Sequence, residues 1–206
     1  MELKVYRSGS ATAALVVGHG AGAGQNSPFM VRTAEVLAGR GIATATFDFP
    51  YMTARKSVPD RPPVLEQAWR DAIAQAGAEL GGLPLFIGGK SMGGRISSQV
   101  AAQGVEGVSG LVFLGYPLHP PGRPEQRRDA HLPAIKEPML FVQGTRDAFG
   151  TADEIRQLLP KLQDATLHEV SGGDHSFKVS GKGAPKADAV LNTILDVVAG
   201  WIFDKA

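Results

Sequence analysis

The chain has 206 residues, of which 43% are hydrophobic and 20% are charged, and its formal net charge is +1. This composition is typical of a globular protein and gives no indication of nucleic-acid or anionic-membrane binding. The absence of cysteine excludes disulfide bonds, thiolate metal sites and a cysteine nucleophile. No apolar stretch approaches the roughly 20 residues of a membrane span. The charged residues 1–7 do not resemble a secretion signal, so we expect a cytoplasmic protein.

Short apolar runs alternate with longer amphipathic runs along the chain. This pattern predicts an α/β fold, with a mostly parallel sheet of about seven strands, helices on both faces and little or no cap. We predict strands over residues 3–6, 14–18, 43–47, 85–88, 110–114, 139–143 and 166–170. We predict helices over residues 28–38, 63–80, 92–103, 151–159 and 187–203. Because no linker divides the chain, residues 1–206 are expected to form a single domain.

A glycine-rich turn follows the fourth predicted strand, in the segment Gly-Lys-Ser-Met-Gly at residues 89–93. A nucleophilic serine on a sharp strand-to-helix turn needs a strained backbone and small residues two positions before and after it. Gly89 and Gly93 meet that requirement around Ser91. The helix that begins there also directs free N–H groups at a developing oxyanion. The pattern therefore predicts Ser91 as a nucleophile; the alternative is a serine that only caps the helix.

A second glycine-rich loop, residues 17–24, follows the second predicted strand. Where a nucleophile lies on such a turn, the next residue donates one N–H to the oxyanion, and a loop after an earlier strand donates another. We therefore predict the N–H groups of Met92 and Ala21 as the oxyanion donors, with Gly22 as the next choice. His19 is predicted to brace this loop by hydrogen bonds rather than to act as a base.

The same loop also fits a dinucleotide-binding fingerprint, Gly-x-Gly-x-x-Ala, over residues 18–23. Asp48 ends the next predicted strand, where an acid that binds ribose would lie. However, a dinucleotide-binding turn opens directly into its helix, whereas here the helix begins later, at Ser27 and Pro28. The late helix argues against nucleotide binding, and we expect neither a cofactor nor a metal.

An acid and a base are expected on loops that follow later strands. Asp147 comes directly after the predicted strand 139–143, and His175 lies in a glycine-rich loop before the last helix. We predict Asp147 as the acid, with Asp153 as the alternative, and His175 as the base. Asp174 is predicted to cap its own turn. Weaker candidates for the base lie in a strand pattern or in other loops: His168, His131 and His119.

Two longer, irregular connections, residues 49–62 and 115–138, are expected near the site because such loops gather at the carboxyl ends of the strands. Neither connection could hold a large cap domain. A shallow pocket is therefore predicted. Its candidate residues are Tyr51, Met52, Tyr116, His119 and Phe149. The connections also carry six basic residues, which we interpret as a solvated surface rather than as a site for an acidic substrate. They are Arg55, Lys56, Arg61, Arg123, Arg127 and Arg128.

With these residues placed, the chain resembles the α/β-hydrolase superfamily over its whole length, near the dienelactone-hydrolase-like branch. A narrower resemblance is carried by the segments GKSMGGR at 89–95, GYPLHP at 115–120, IKEP at 135–138 and DHS at 174–176. These segments are similar to the group that contains testis-expressed protein thirty and the third subunit of the non-specific-lethal chromatin complex. At its three catalytic positions this chain carries serine, acid and histidine without departure.

The residues and the resemblance together predict a serine hydrolase that cleaves a carboxylester or thioester of a small or exposed acyl group. The expected partner is a small-molecule substrate, and the sequence does not indicate an oligomeric state. The alternative, which the resemblance to a chromatin-complex subunit implies, is a partner-binding protein that retains the hydrolase fold with weak or no catalysis.

Overall fold

A seven-stranded sheet forms the centre of the protein in the computed structural model, which describes residues 2–206. Its strands are β1 Leu3–Tyr6, β2 Ala13–Gly18, β3 Ile42–Phe47, β4 Leu85–Lys90, β5 Val108–Leu114, β6 Met139–Gly144 and β7 Ala165–Val170. Their order across the sheet is β1-β3-β2-β4-β5-β6-β7. Only β1 runs antiparallel to its neighbour; every other pair is parallel. The predicted mostly parallel sheet is confirmed.

Six α-helices connect or follow the strands: α1 Pro28–Gly39, α2 Pro50–Thr53, α3 Pro62–Glu79, α4 Met92–Ala102, α5 Ala152–Arg156 and α6 Ala187–Lys205. Two single 3₁₀ turns, Leu132–Ala134 and Leu159–Lys161, complete the elements. The short helix α2 was not predicted. Among residues 2–206, no helix has both the length and the apolar character needed to span a membrane.

The fifth helix ends earlier than its apolar pattern predicts. Thr151 caps it through a capping box with Glu154, but regular α-helix stops at Arg156. Pro160 lies in the following 3₁₀ turn. Because proline disfavours helical backbone at the residue before it, the predicted helix over residues 151–159 divides into a short α-helix and a separate turn.

The sheet is covered on both faces, so its central strands are apolar on both sides. One core cluster packs α3 and α4 against the sheet around Trp69 and Phe113. The other packs α1 and α6 around Phe86 and Trp201, whose rings lie 5.8 Å apart. All six residues of β2 are buried. This double coverage explains why the strands appear as continuous apolar runs rather than alternating ones.

Backbones approach very closely where β2 passes the turn between β4 and α4. A Cβ added at Gly93 would lie 2.1 Å from the Gly18 carbonyl oxygen, and one added at Gly89 would lie 2.1 Å from the same atom. Trp69 closes the contact, since its indole N–H donates to the Gly93 carbonyl at 3.1 Å. Only glycine fits at positions 89 and 93, because any larger side chain would collide with the backbone of β2.

This contact predicts a large stability cost for adding one methyl group at the crossing. Gly93→Ala should lower the free energy of unfolding by about 3 kcal/mol, because the Cβ collides with backbone that cannot rotate away. Gly77, near the end of α3, is the matched control because a Cβ there meets nothing within 4 Å. Gly77→Ala should raise stability by up to about 1 kcal/mol. Urea denaturation measures both, and equal stabilities of the two variants would contradict the close packing.

Candidate active site

Ser91 lies at the junction of β4 and α4 with backbone angles φ 49° and ψ −112°. A positive φ is unfavourable for a residue with a side chain, so this turn is strained. The Ser91 N–H donates to the Leu114 carbonyl at 3.1 Å, and the Ser91 carbonyl accepts from the Arg95 N–H at 3.0 Å. Bonds to β5 on one side and to the helix on the other hold the hydroxyl at the carboxyl end of the sheet.

The three residues predicted to act together are joined by two hydrogen bonds. Ser91 Oγ lies 2.9 Å from His175 Nε2, and His175 Nδ1 lies 2.8 Å from Asp147 Oδ2. Both contacts are satisfied in one tautomer, in which Nδ1–H donates to Asp147 while Nε2 accepts the serine proton. Because Asp147 follows β6 and His175 follows β7, parallel strands bring residues distant in sequence to one edge of the sheet.

The carboxylate of Asp147 is almost fully buried, with 2% of the residue exposed. Besides His175, it accepts from the Gln143 amide at 3.0 Å and from the Phe149 N–H at 2.8 Å. Gln143 itself is buried and links the Gly150 carbonyl to the backbone of Tyr116. Sequence reasoning missed Gln143; a polar side chain that ends an otherwise apolar strand was the available signal.

An aromatic ring contacts the imidazole of His175, and a lysine binds the backbone of the same residue. The Phe149 ring stacks on it with centroids 4.2 Å apart, and the Lys90 ammonium donates to the His175 carbonyl at 2.6 Å. Burial lowers the pKa of Lys90 to about 8, despite the opposing charges of Asp147 and Asp174. Lys90 therefore ties the histidine loop to the turn that carries Ser91.

The loop after β2 lies beside Ser91, as expected for a source of an oxyanion donor. A Cβ added at Gly20 would be 3.7 Å from Ser91 Cβ, and Ala21, Met92 and Ser91 line one cleft. Within residues 2–206, neither the Ala21 N–H nor the Met92 N–H donates to a backbone carbonyl. Both groups are thus available to an oxygen atom placed over Ser91.

His19 is buried beneath this loop and makes two hydrogen bonds. Its Nδ1 lies 2.8 Å from the Gly20 carbonyl, and its Nε2 accepts the Phe49 N–H at 3.2 Å. Burial lowers the pKa of His19, although its contacts with Gly20 and Asp48 oppose the shift. Asp48 accepts the Gln25 N–H at 2.7 Å. The acid considered for a dinucleotide-binding site is therefore engaged within the loop itself.

A cleft of about 590 Å³ opens over Ser91 and His175. This volume is ordinary for a small-molecule site. Residues of the connection after α2, including Pro59 and Pro62, form part of its wall although no cap domain is present among the described residues. Much of the remaining lining is apolar and comes from Phe29, Met30, Leu65, Pro117 and Phe149.

Of the five predicted pocket residues, only Phe149 lines this cleft. Tyr51 and Tyr116 are fully buried in the core, where the Tyr116 hydroxyl donates to the Arg128 carbonyl. His119 is buried between the Pro120 carbonyl and Glu154, and Met52 packs partly buried against the core. The prediction was wrong for these four because loop residues near the strand ends turn inward, where their apolar area is removed from water.

The other acid and base candidates lie outside the cleft. Asp153 is exposed on α5 and pairs with Arg156. His131 bonds Ser98 Oγ at 2.8 Å, and His168 is half-buried on β7. Asp174 accepts the N–H groups of Ser176 and Lys178, which caps the turn around His175. Residues 2–206 contain no cluster of three or more imidazole, carboxylate or thiol side chains that would hold a metal ion.

Of the six basic residues in the two irregular connections, only Arg128 lines the cleft. Arg95, one helical turn after Ser91, lines it as well. Sequence reasoning missed Arg95, although its spacing of four residues from the nucleophile on a predicted helix was a usable signal.

Residues 11–203 match the model of a protein family described as an alpha/beta hydrolase domain. Solved structures of low sequence identity share the fold. A dienelactone hydrolase from Anabaena variabilis has 21% identity and a TM-score of 0.77, and the alignment covers 98% of this chain and 91% of that protein. Est1E from Butyrivibrio proteoclasticus, solved with ferulic acid, has 12% identity and a TM-score of 0.76, covering 99% and 94% respectively.

A third structure is described as a serine hydrolase without a lid, from Xanthomonas campestris. It has 18% identity and a TM-score of 0.72, and the alignment covers 97% of this chain and 89% of that protein. At these identities the likeness concerns the fold, and the mostly parallel sheet with helices on both faces agrees with it. The narrower resemblance to the testis-expressed and non-specific-lethal group stays a prediction.

The lowered pKa values of three histidines predict that the protein loses stability in mild acid. Burial lowers the pKa of His19, His131 and His168 below 6.5 in the folded protein. Near that pH the unfolded chain binds more protons than the folded chain, so the free energy of unfolding falls as pH drops below about 6.5.

Replacing His19 tests whether this residue contributes to the fall in the free energy of unfolding at lower pH. In urea denaturation between about pH 5.5 and 7.5, His19→Gln should show a shallower pH slope than the wild type, by up to one proton or ~1.4 kcal/mol per pH unit. The variant should also be less stable at neutral pH, because the hydrogen bonds that join Gly20 and Phe49 are weakened. A slope identical to that of the wild type would show that His19 binds protons equally in the folded and unfolded states, and would contradict a lowered pKa.

Proposed function

The chain belongs to the alpha/beta hydrolase family, and within that family we propose that it is a serine hydrolase that cleaves ester-like bonds of small acyl substrates. The observation that carries the proposal is the continuous hydrogen-bonded line from Ser91 through His175 to the buried carboxylate of Asp147. A serine that merely capped α4 would need no imidazole 2.9 Å from its hydroxyl.

Acyl transfer would begin when Ser91 Oγ attacks the substrate carbonyl carbon. His175 Nε2 takes the hydroxyl proton as the new C–O bond forms, and the carbonyl π electrons move onto oxygen. Asp147 keeps the imidazole in the required tautomer and stabilises the imidazolium without itself taking the proton. The oxyanion would be held by the N–H groups of Met92 and Ala21, which line the same cleft as the nucleophile.

Collapse of the tetrahedral intermediate would break the bond to the leaving group, which takes the proton from the His175 imidazolium. Water then enters, loses a proton to His175 Nε2 and attacks the acyl-enzyme, and Ser91 recovers its proton as the acid departs. Three hydrogen bonds, from His175, Gln143 and Phe149, compensate the burial of the Asp147 carboxylate.

The cleft favours a small acyl group over a long lipid chain. Its volume of about 590 Å³ suits a ligand of modest size, and its walls come from loops and helix ends rather than from a cap domain. Apolar side chains such as Phe29, Met30 and Leu65 supply a surface for hydrocarbon. Carboxylesters and thioesters are both compatible with this chemistry, because either presents an electrophilic carbonyl to Ser91.

Covalent labelling tests the nucleophile. A fluorophosphonate probe should label the wild-type protein at Ser91, and Ser91→Ala should lose all labelling and the turnover of p-nitrophenyl acetate. Circular dichroism of both proteins checks that they are folded. Folded wild-type protein that neither reacts with the probe nor hydrolyses the ester would contradict the proposal and favour a partner-binding protein with this fold.

Matched substitutions of two aspartates test the acid. Asp147→Asn should lower kcat for p-nitrophenyl acetate by about 10⁴-fold, because the amide favours the wrong histidine tautomer. Asp153→Asn is the control, since Asp153 is exposed and pairs only with Arg156. Its kcat should stay within about twofold of wild type, as expected for a surface change away from the site. The assignment is wrong if the Asp153 variant loses activity and the Asp147 variant keeps it.

A further inference from the structure

Two arginines share the cleft that contains Ser91. Arg95 lies one turn along α4 from the nucleophile, so the two residues are on the same side of the helix, roughly 6 Å apart along its axis. Arg128 comes from the connection between β5 and β6 and lines the same cleft. Both are partly buried.

These guanidinium groups have almost no internal partners. Among residues 2–206, the Arg95 guanidinium hydrogen-bonds only the Gln99 side chain, at the long distance of 3.5 Å. Arg128 makes no side-chain hydrogen bond, and neither arginine forms an ion pair with any carboxylate of residues 2–206. Burial lowers the pKa of Arg95, and the nearby positive charge of Arg128 lowers it further. Two unpaired like charges in a partly desolvated cleft are unfavourable until an anion lies between or beside them.

The fold positions this pair firmly rather than leaving it on a mobile surface. The Arg128 N–H donates to the Leu118 carbonyl at 2.8 Å, and its carbonyl accepts from the Tyr116 hydroxyl at 2.7 Å. Tyr116 is itself fully buried. Arg95 is fixed by its place in α4, where its N–H bonds the Ser91 carbonyl. The backbones of both arginines are therefore anchored relative to Ser91.

We propose that Arg95 and Arg128 form a subsite for an anionic group on the substrate, so that the preferred substrate is a short acyl ester or thioester that also carries a carboxylate or phosphate. The proposal rests on the esterase-like function above and adds its substrate class. Guanidinium suits this role because its planar donors bind carboxylate and phosphate oxygens in pairs. The position of Arg95 places the anion a few bonds from the scissile carbonyl.

Besides the two arginines and His175, the cleft lining contains one further cationic and one anionic side chain. Lys90 adds a third cation to the lining, next to His175. Asp60 also lines the cleft, from the wall after α2, and forms no ion pair with either arginine. Glu66, the carboxylate whose charge acts on Arg95, is partly buried and accepts a hydrogen bond from the Gln103 amide instead.

The test compares esters of matched size that differ in charge. Monomethyl glutarate carries a carboxylate, dimethyl glutarate is neutral, methyl 4-(trimethylammonio)butyrate is cationic and methyl 3-phosphonopropanoate carries a phosphonate. Hydrolysis is followed by titrating released acid. The wild-type protein should hydrolyse at least one anionic ester with a kcat/KM about tenfold or more above that of the neutral ester, and the difference should shrink with added salt. Whichever anionic ester is preferred identifies carboxylate or phosphate as the recognised group.

Substitutions assign the preference to the two arginines. Arg95→Gln and Arg128→Gln should each reduce the ratio of anionic to neutral kcat/KM by about tenfold, mainly through KM, since each removes one charge-assisted contact. Arg123→Gln is the control, because Arg123 is exposed in the same connection as Arg128 and does not line the cleft. It should leave the ratio unchanged. Fluorophosphonate labelling at Ser91 verifies that each variant retains a folded site.

The outcomes separate this proposal from the function on which it rests. Wild-type protein that reacts with the probe but hydrolyses neutral or cationic esters as well as anionic ones, or better, overturns the anionic subsite and leaves the serine hydrolase intact. An anionic preference that survives both arginine substitutions also overturns it. Absence of both labelling and turnover in folded wild-type protein contradicts the hydrolase itself.

Discussion

The contact on which the rest of the structure depends is the close approach of the Gly18 carbonyl to Gly89 and Gly93. It allows the start of α4 to lie against β2 with no side chain between them, and so permits the positive φ of Ser91. It also brings the loop after β2 to the side of the nucleophile. One steric constraint thus joins the strained turn, the loop after β2 and the cleft into a single arrangement.

A second layer of organisation is a group of hydrogen-bonded polar side chains buried beneath His175. Gln143 connects the carboxylate of Asp147 with the backbone of Tyr116 and Gly150. Tyr116 in turn bonds Arg128. The proposed acid and the proposed anion subsite are therefore supported by one hydrogen-bonded network, in which each buried polar group has a partner.

The sequence allowed the sheet to be predicted because parallel, doubly covered strands produce short apolar runs, and the strands observed agree with those runs. It also indicated Ser91, Asp147 and His175, since chain order and strand ends determine which loops meet. It did not reveal which loop side chains turn inward: Tyr51 and Tyr116 were expected in the pocket and lie in the core instead. That choice depends on tertiary packing, which no local pattern records. The same holds for the cleft wall after α2, which the sequence presents only as an irregular connection.

The amide of Gln143 places a restriction on how this protein can vary. Glutamate has nearly the same shape as glutamine and is one base change away in the genetic code. At this position it would put a second carboxylate within hydrogen-bond distance of Asp147, and two such groups cannot both remain ionised in a buried setting. One proton shared by the pair would weaken the charge that faces the imidazole. Glutamate is therefore expected to be poorly tolerated at position 143 despite its similar shape, although Gln143 does not line the cleft over Ser91.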